Sequence, residues 1–121
     1  MASIEYLSYD ENVDHLTIYR SDSKIERSID TGFVVLSLNQ EKEIVGIEIM
    51  GASKNFKIPL EALQHITGCT VDIRYDPQRH LVILNILLQY EHQESPLVFS
   101  YENIDLGANA FSQSFACAAT A

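Results

Sequence analysis

The stretch Ile44-Val45-Gly46-Ile47-Glu48-Ile49-Met50-Gly51-Ala52-Ser53-Lys54 decides the class of fold. Val45, Ile47 and Ile49 alternate with other residue types, and the run then breaks at Gly-Ala-Ser-Lys. Successive side chains of a strand point to opposite faces. Period-two patterning therefore predicts a β-strand over 43–50 with one buried face, followed by a turn.

Working outward, residues 3–9 and 14–20 read as a hairpin around Asp10-Glu11-Asn12-Val13, where Asp and Asn side chains bond the local backbone. Leu16 and Ile18 fall on one face of its second strand, and His15, Thr17 and Tyr19 on the other. Residues 24–29 are polar enough for an edge strand, since charge protects an exposed edge from mispairing. Residues 33–38 are apolar on both faces except at Ser37, which predicts a central strand. One helix is expected, over 59–66: Pro59 suits a first helical position, Leu60, Leu63 and Ile66 share a face, and Gly68 can close the end. Beyond it Val71, Ile73 and Tyr75 alternate with Asp72 and Arg74, Asp76-Pro77-Gln78-Arg79 turns, 81–90 runs apolar, and 97–101 closes the sheet.

Tyr9-Asp10-Glu11-Asn12-Val13-Asp14-His15-Leu16-Thr17-Ile18-Tyr19, read together with 44–54, resembles the small prokaryotic family known as domain of unknown function 2283. That family pairs a "YDPEADxLYI" hairpin with a downstream "GNIVGIEILxAS" strand, and the resemblance covers roughly residues 3–60. It implies a β-rich domain and supplies no activity, cofactor or partner.

The second half echoes the first. Tyr75-Asp76-Pro77-Gln78-Arg79-His80-Leu81-Val82-Ile83 aligns with Tyr9–Ile18 if one turn residue is deleted, which sets His80 against His15. In this reading segments 3–58 and 70–107 are a degenerate repeat, and the second copy has lost the Gly-Ile-Glu-Ile strand, with Asn103-Ile104-Asp105-Leu106-Gly107 in its place. Chance similarity of two hairpins is the competing account. The expected fold is α+β and predominantly antiparallel β, a sandwich or partly open barrel with one short helix. A single domain spans 1–107 and a charge-free tail 108–121. In that tail Phe111 and Phe115 stand four apart, so a short helix docking on a neighbouring subunit and a frayed end are both open.

At 121 residues the chain is long enough for one packed core. No apolar run approaches the ~20 residues of a membrane-spanning helix, and Met-Ala-Ser-Ile-Glu-Tyr lacks the pattern of a secretory signal, so a cytoplasmic location is expected. Eight basic against 17 acidic residues give a net charge of −9. Phosphate neutralisation by Lys and Arg dominates nucleic-acid affinity, so nucleic acid and anionic membranes are not expected partners. An acidic surface that meets a basic protein and a charge that serves solubility are the alternatives. Cys69 and Cys117 are too few and too scattered for a disulfide framework or zinc site; two thiols in a reducing compartment or one bridge to the tail remain.

No arrangement of nucleophile, base and orienting group is legible, and Gly51-Ala52-Ser53-Lys54 is not a phosphate-binding loop, so no catalytic residue and no cofactor is expected. His15 and His80 with Asp10, Asp14 and Asp76 could form a His/Asp cluster, against the commoner reading of solvent-facing histidines. Glu48 on an outer strand face is expected solvated or paired with Lys42 or Lys54. The leading expectation is a non-enzymatic protein-binding or regulatory module, an acidic inhibitor or antitoxin-like partner of a basic protein, forming a homodimer. Its contact residues are expected at Asp10, Glu11, Asp14, Glu41, Glu43, Phe111 and Phe115. The alternative is a small-ligand-binding oligomer with sites between subunits, lined by Tyr6, Tyr9 and Tyr75.

Overall fold

The computed structural model describes residues 5–20 and 23–119; the side chains of Glu5, Phe115, Ala118 and Ala119 lie outside the described residues. Within them the chain forms β1 (Glu5–Asp10), β2 (His15–Arg20), β3 (Arg27–Asp30), β4 (Val34–Leu38), β5 (Ile44–Met50), α1 (Ala52–Phe56), α2 (Leu60–Leu63), β6 (Ile66–Asp76), β7 (Leu81–Tyr90), β8 (Gln93–Tyr101) and β9 (Phe111–Ala119). The strands run in the order β3-β4-β5-β2-β1-β9-β6-β7-β8, antiparallel throughout except for β1 beside β9. That parallel seam has two residue pairs, Tyr6 with Ala118 and Leu7 with Ala119. It joins a sheet of β3, β4, β5, β2 and β1 to a second of β9, β6, β7 and β8, and no barrel closes among the described residues. The fold is the expected α+β, mostly antiparallel.

The inner faces of the two sheets share one core. Leu16, Ile18, Leu36, Ile47 and Ile49 of the first sheet and Val71, Ile73, Leu84, Ile86 and Leu88 of the second are all buried in it. Burying a side chain of this size is worth roughly 1.5–3 kcal/mol, which makes these facing rows the main source of stability. Gln113 of β9 crosses between the layers, accepting from Ile44 N (3.0 Å) and donating to Ile44 O (3.3 Å). Phe33 meets Phe99 with ring centroids 5.1 Å apart, and Arg27 donates to the carbonyl of Asp105 at 3.2 Å.

Several expectations change. The segment 33–38 is not buried on both faces: Val34, Leu36 and Leu38 are buried while Val35 and Ser37 are half-buried, one strand in from the edge. Gly51-Ala52-Ser53-Lys54 does not turn directly out of the sheet but starts α1, with Gly51 at φ 65° as its N-cap. The helix expected over 59–66 shrinks to α2, where Pro59 is the N-cap and Ile66 already belongs to β6. The helical spacing of Phe111 and Phe115 is overridden, because β9 fills the gap between β1 and β6 and its backbone bonds to both.

The repeat is closer in register than the sequence suggested. Both hairpin loops have four residues, since Asp10 pairs with His15 and Asp76 with Leu81. No deletion is needed: Asp14 (φ 56°) corresponds to His80 (φ 50°), and His15 to Leu81. Asp10 accepts from Asn12 N at 2.9 Å, and Asp76 from Gln78 N at 3.0 Å. The third strand is also present in the second half, as β8. Leu16 pairs with Ile49 and Ile18 with Ile47, while Val82 pairs with Tyr101 and Leu84 with Phe99. The difference is that the first half inserts the β3–β4 hairpin between its second and third strands.

The two outer edges resist further pairing. Glu91 and His92, both at positive φ, make a two-residue hairpin between β7 and β8. Such a turn directs the N–H groups of residues 93, 95 and 97 inward and those of 94, 96 and 98 outward. Pro96 therefore sits where its missing N–H leaves the β7 ladder intact and blunts the edge. At the opposite edge β3 has only four residues, which limits the exposed ladder.

Gly68, where β6 meets both β7 and β9, is held by a close approach: a Cβ there would lie 2.8 Å from the Cys117 carbonyl oxygen. Replacing Gly68 by Ala is expected to lower unfolding free energy by about 1–3 kcal/mol. Urea denaturation should show a lower midpoint at unchanged slope, and an unchanged midpoint would contradict the close packing of this junction.

Candidate functional site

The most organised polar cluster surrounds Asp14. Its Oδ1 accepts from Tyr9 Oη (2.5 Å) and Ser53 N (3.1 Å), and its Oδ2 accepts from Ser53 Oγ at 2.7 Å. Its main-chain carbonyl accepts from Ala52 N at 3.0 Å. Ala52 and Ser53 open α1, whose Gly51 N-cap has no side chain to satisfy their N–H groups. Asp14 supplies that cap from another element. Burial alone would raise the Asp14 carboxyl; the hydrogen bonds from Tyr9 and Ser53 and the charge of Lys54 outweigh it and hold the carboxyl below its usual range. Burial, the bond to Asp14 and the charges of Asp14, Glu11 and Asp10 push the Tyr9 phenol well above its ordinary value, so it stays a donor. The second half achieves the same tie without an acid: Tyr75 Oη donates to Gly107 O (3.0 Å) and accepts from Leu106 N (3.0 Å).

A groove of about 590 Å³ opens elsewhere, on the outer face of the five-stranded sheet. One cross-strand row there runs Tyr6, Tyr19, Gly46, Ser37, and the next runs Ser8, Thr17, Glu48, Val35. Gly46 leaves a notch between Tyr19 and Ser37; a Cβ there would lie 3.2 Å from that of Ser37. The Tyr6 and Tyr19 rings stack at 5.1 Å beside the notch. Ile25 and Val45 form an apolar end, and Thr17 and Glu48 a polar one. Glu48 is exposed, and no salt bridge to Lys42, Lys54 or any other described residue reaches it. Arg20, at the rim, lies 3.9 Å from Glu43. The groove thus offers aromatic faces, an aliphatic wall and a solvent-facing carboxylate, a set suited to a cation with an apolar stem.

The expected contact residues are scattered. Asp10, at the end of β1, and Glu11, in the first loop, are exposed, with Glu11 accepting from Gln64. Asp14, expected on the surface, is half-buried and committed to α1. Glu41 and Glu43 are exposed in the turn that Asn39 organises, its Oδ1 accepting from both their N–H groups at 3.0 Å. Phe111 is half-buried against Tyr75 (5.3 Å), and the side chain of Phe115 lies outside the described residues. Tyr6 joins Tyr19 and not Tyr9 or Tyr75. Among the described residues no group of three His, Cys, Asp or Glu converges as a metal site, and His15 and His80 are not equivalent positions. Sequence reading missed the notch. Its one signal was a glycine within an alternating strand, which marks a close approach or an opening.

These features describe a small two-layer β protein with a structural carboxylate clamp and an open outer-face groove. Residues 7–53 match the profile of a family described as protein of unknown function (DUF2283), so the resemblance read from the Tyr-Asp hairpin and the Gly-Ile-Glu-Ile strand holds over that segment. The clamp and the notch both lie on residues of that match. The chain is 31% identical over 52 residues to an uncharacterized protein of Methanocaldococcus jannaschii, covering 43% of this chain and 45% of the relative. It is 34% identical over 58 residues to a Methanosarcina mazei protein whose name proposes a hypoxanthine phosphoribosyltransferase, covering 48% of this chain and 47% of that one. The chain spans less than half the length of each relative. No solved structure matches it. Among the described residues no helix is long and apolar enough to cross a membrane.

Replacing Asp14 by Ala is expected to cost about 1–2 kcal/mol, as loss of a helix cap does. A carboxyl depressed in the folded state contributes stability that is present above its unfolded value, about 3.9, and lost as pH falls through the folded one. The native protein should therefore lose stability below about pH 4, and the Asp14→Ala variant should lose less over the same window. Parallel acid limbs in urea titrations of the two proteins would contradict the clamp.

Proposed function

We propose that the protein is a non-enzymatic binding module that receives a basic side chain of a partner protein in the Tyr19–Gly46–Glu48 groove, acting as an acidic inhibitor or antitoxin-like mask of that partner. The observation that carries this reading is Glu48: a solvent-facing carboxylate with no salt bridge among the described residues, placed diagonally across from Tyr19 beside the notch at Gly46. An Arg or Lys stem fits against Tyr19, Ile25 and Val45 with its head on Glu48. The charge of −9 steers such a partner toward the protein, with Asp10, Glu11, Glu41 and Glu43 exposed in or beside the loops. The reading places the protein in the cytoplasm of a prokaryote. The activity named for the Methanosarcina relative stays with that protein, because the match covers less than half of it.

Self-association belongs to the same reading. With both sheet edges blunted, a homodimer would use the outer face of the four-stranded sheet, where Val98 is 62% exposed and Ile83 and Leu87 are half-buried on the same side. Replacing Val98 by Lys is expected to shift sedimentation from dimer to monomer at micromolar concentration; a monomeric native protein would remove this part.

For the groove, a short arginine- and lysine-rich peptide titrated by isothermal calorimetry supplies the test. Its affinity should fall as salt rises from about 0.05 M to about 0.3 M, as exposed charge attraction is screened. Glu48→Gln should weaken binding about threefold to tenfold, whereas Glu94→Gln, an equal change of charge on β8, should have a smaller effect. Equal effects of the two substitutions would mean that bulk charge, and not the groove, attracts the peptide.

A further inference from the structure

Cys69 and Cys117, separated by 48 positions in the chain and the only cysteines in it, are direct cross-strand partners in the antiparallel β6–β9 pair. Residues directly opposite one another have Cα atoms about 4.5–5.5 Å apart, inside the range of about 4.4–6.8 Å that a disulfide spans. Their side chains also leave the sheet on the same face, toward the core, and both are buried (1% and 7% exposed). In this structure the pair is in the thiol state.

We infer that Cys69 and Cys117 are a redox modification site that closes into an intramolecular disulfide and staples β9 to β6. The reaction is thiol–disulfide exchange with a low-molecular-weight disulfide such as oxidised glutathione. One thiolate attacks the glutathione disulfide, forming a protein–glutathione mixed disulfide and releasing one reduced glutathione. The second thiolate then attacks the protein sulfur of that mixed disulfide and releases the other. Two protein thiols are oxidised, two glutathione thiols are produced, and the two protons go to solvent or to the leaving thiolates.

Location gives the bridge its consequence. Beside Cys117, Ala118 pairs with both Gly68 and Tyr6, so the cysteine lies next to the two-pair seam joining the sheets. Opening the end of β9 is what exposes the sulfurs, and the same opening breaks the two-pair seam between β9 and β1. Reduced protein can therefore open there, and oxidised protein is held shut through a closed loop of 49 residues by the separation of its ends. Burial makes the exchange slow in the closed state and limits it to molecules in which β9 has frayed.

The test uses the intact chain incubated with oxidised glutathione, with and without a urea concentration below the unfolding transition. Intact-mass measurement is expected to show loss of two hydrogens in a monomer, peptide mapping a Cys69–Cys117 linkage, and sub-denaturing urea faster closure. The oxidised protein should unfold at least tenfold more slowly than the reduced one, and dithiothreitol should restore the original rate. Cys117→Ala, checked for folding by circular dichroism, should retain the slow-exchange control at Cys69 but give no rate change on oxidation. If that variant fails to fold, the linkage map and dithiothreitol reversal in the native chain still decide. Stable glutathione adducts, intermolecular dimers, or two titratable thiols after prolonged oxidation in urea would overturn the inference.

Discussion

Asp14 closes the first hairpin in a left-handed conformation, which turns its carbonyl oxygen toward the chain leaving β5 and lets it accept from Ala52 N at 3.0 Å. His80 does the same in the second half, accepting from Ile104 N at 3.0 Å, and in both halves the residue before the donor is itself left-handed, Gly51 at φ 65° and Asn103 at φ 62°. This one backbone bond sets where each third strand ends relative to its hairpin. Because a slip of one residue would turn every inward side chain outward, fixing that end also fixes Ile47 and Ile49, or Phe99, on the core side. The Asp14 carboxylate then adds a second layer in the first half by capping α1, a role for which His80 has no carboxylate.

That division of labour explains what the sequence disclosed. The alternation through Leu16, Ile18, Ile47 and Ile49 is a direct record of one buried face, so the hairpins and β5 were legible. The gapless loop correspondence was not, because matching His15 to His80 by residue type is natural in sequence, whereas the real equivalence between Asp14 and His80 rests on a shared backbone conformation. Glu91-His92 carries none of the Asn or Gly that such a two-residue turn favours, so the start of β8 was hidden. β9 was hidden for a different reason. Small residues such as Ser112, Ser114 and Ala116 carry little periodicity, and the strands that flank β9, namely β1 and β6, lie far from it in the chain.

The candidate site divides along the same line. Exposed loop carboxylates are visible in a sequence because turn chemistry announces them, but visibility is not organisation: Glu41 and Glu43 share the turn that Asn39 organises, and Asp10 ends β1 beside a different loop. Asp14, which looks like one of them, is spent on holding α1 to the first hairpin. Glu48 reads in sequence as a solvated strand residue, and in the structure it is exposed. What gives it significance is the missing side chain at Gly46 and the stacked Tyr6–Tyr19 pair, which no single strand displays.

The two sheets bury their shared face with branched aliphatic side chains, so the interior supplies stability and the outer faces are free to vary in shape and polarity. On the first sheet that outer face is interrupted at Gly46, and the interruption has structural surroundings of its own: Ser37 sits 3.2 Å from where a Cβ would be, next to the irregularity in pairing between Ser37 and Leu38. The glycine relieves a tight contact with Ser37 next to that irregularity, and it leaves the notch beside Tyr19 and Glu48. The groove is therefore bounded by the pairing of β4 with β5, and a side chain at position 46 would press on Ser37, which would have to give by a few tenths of an ångström. The shape of this face depends on the same strand pairing whose far end the Asp14 carbonyl meets at Ala52.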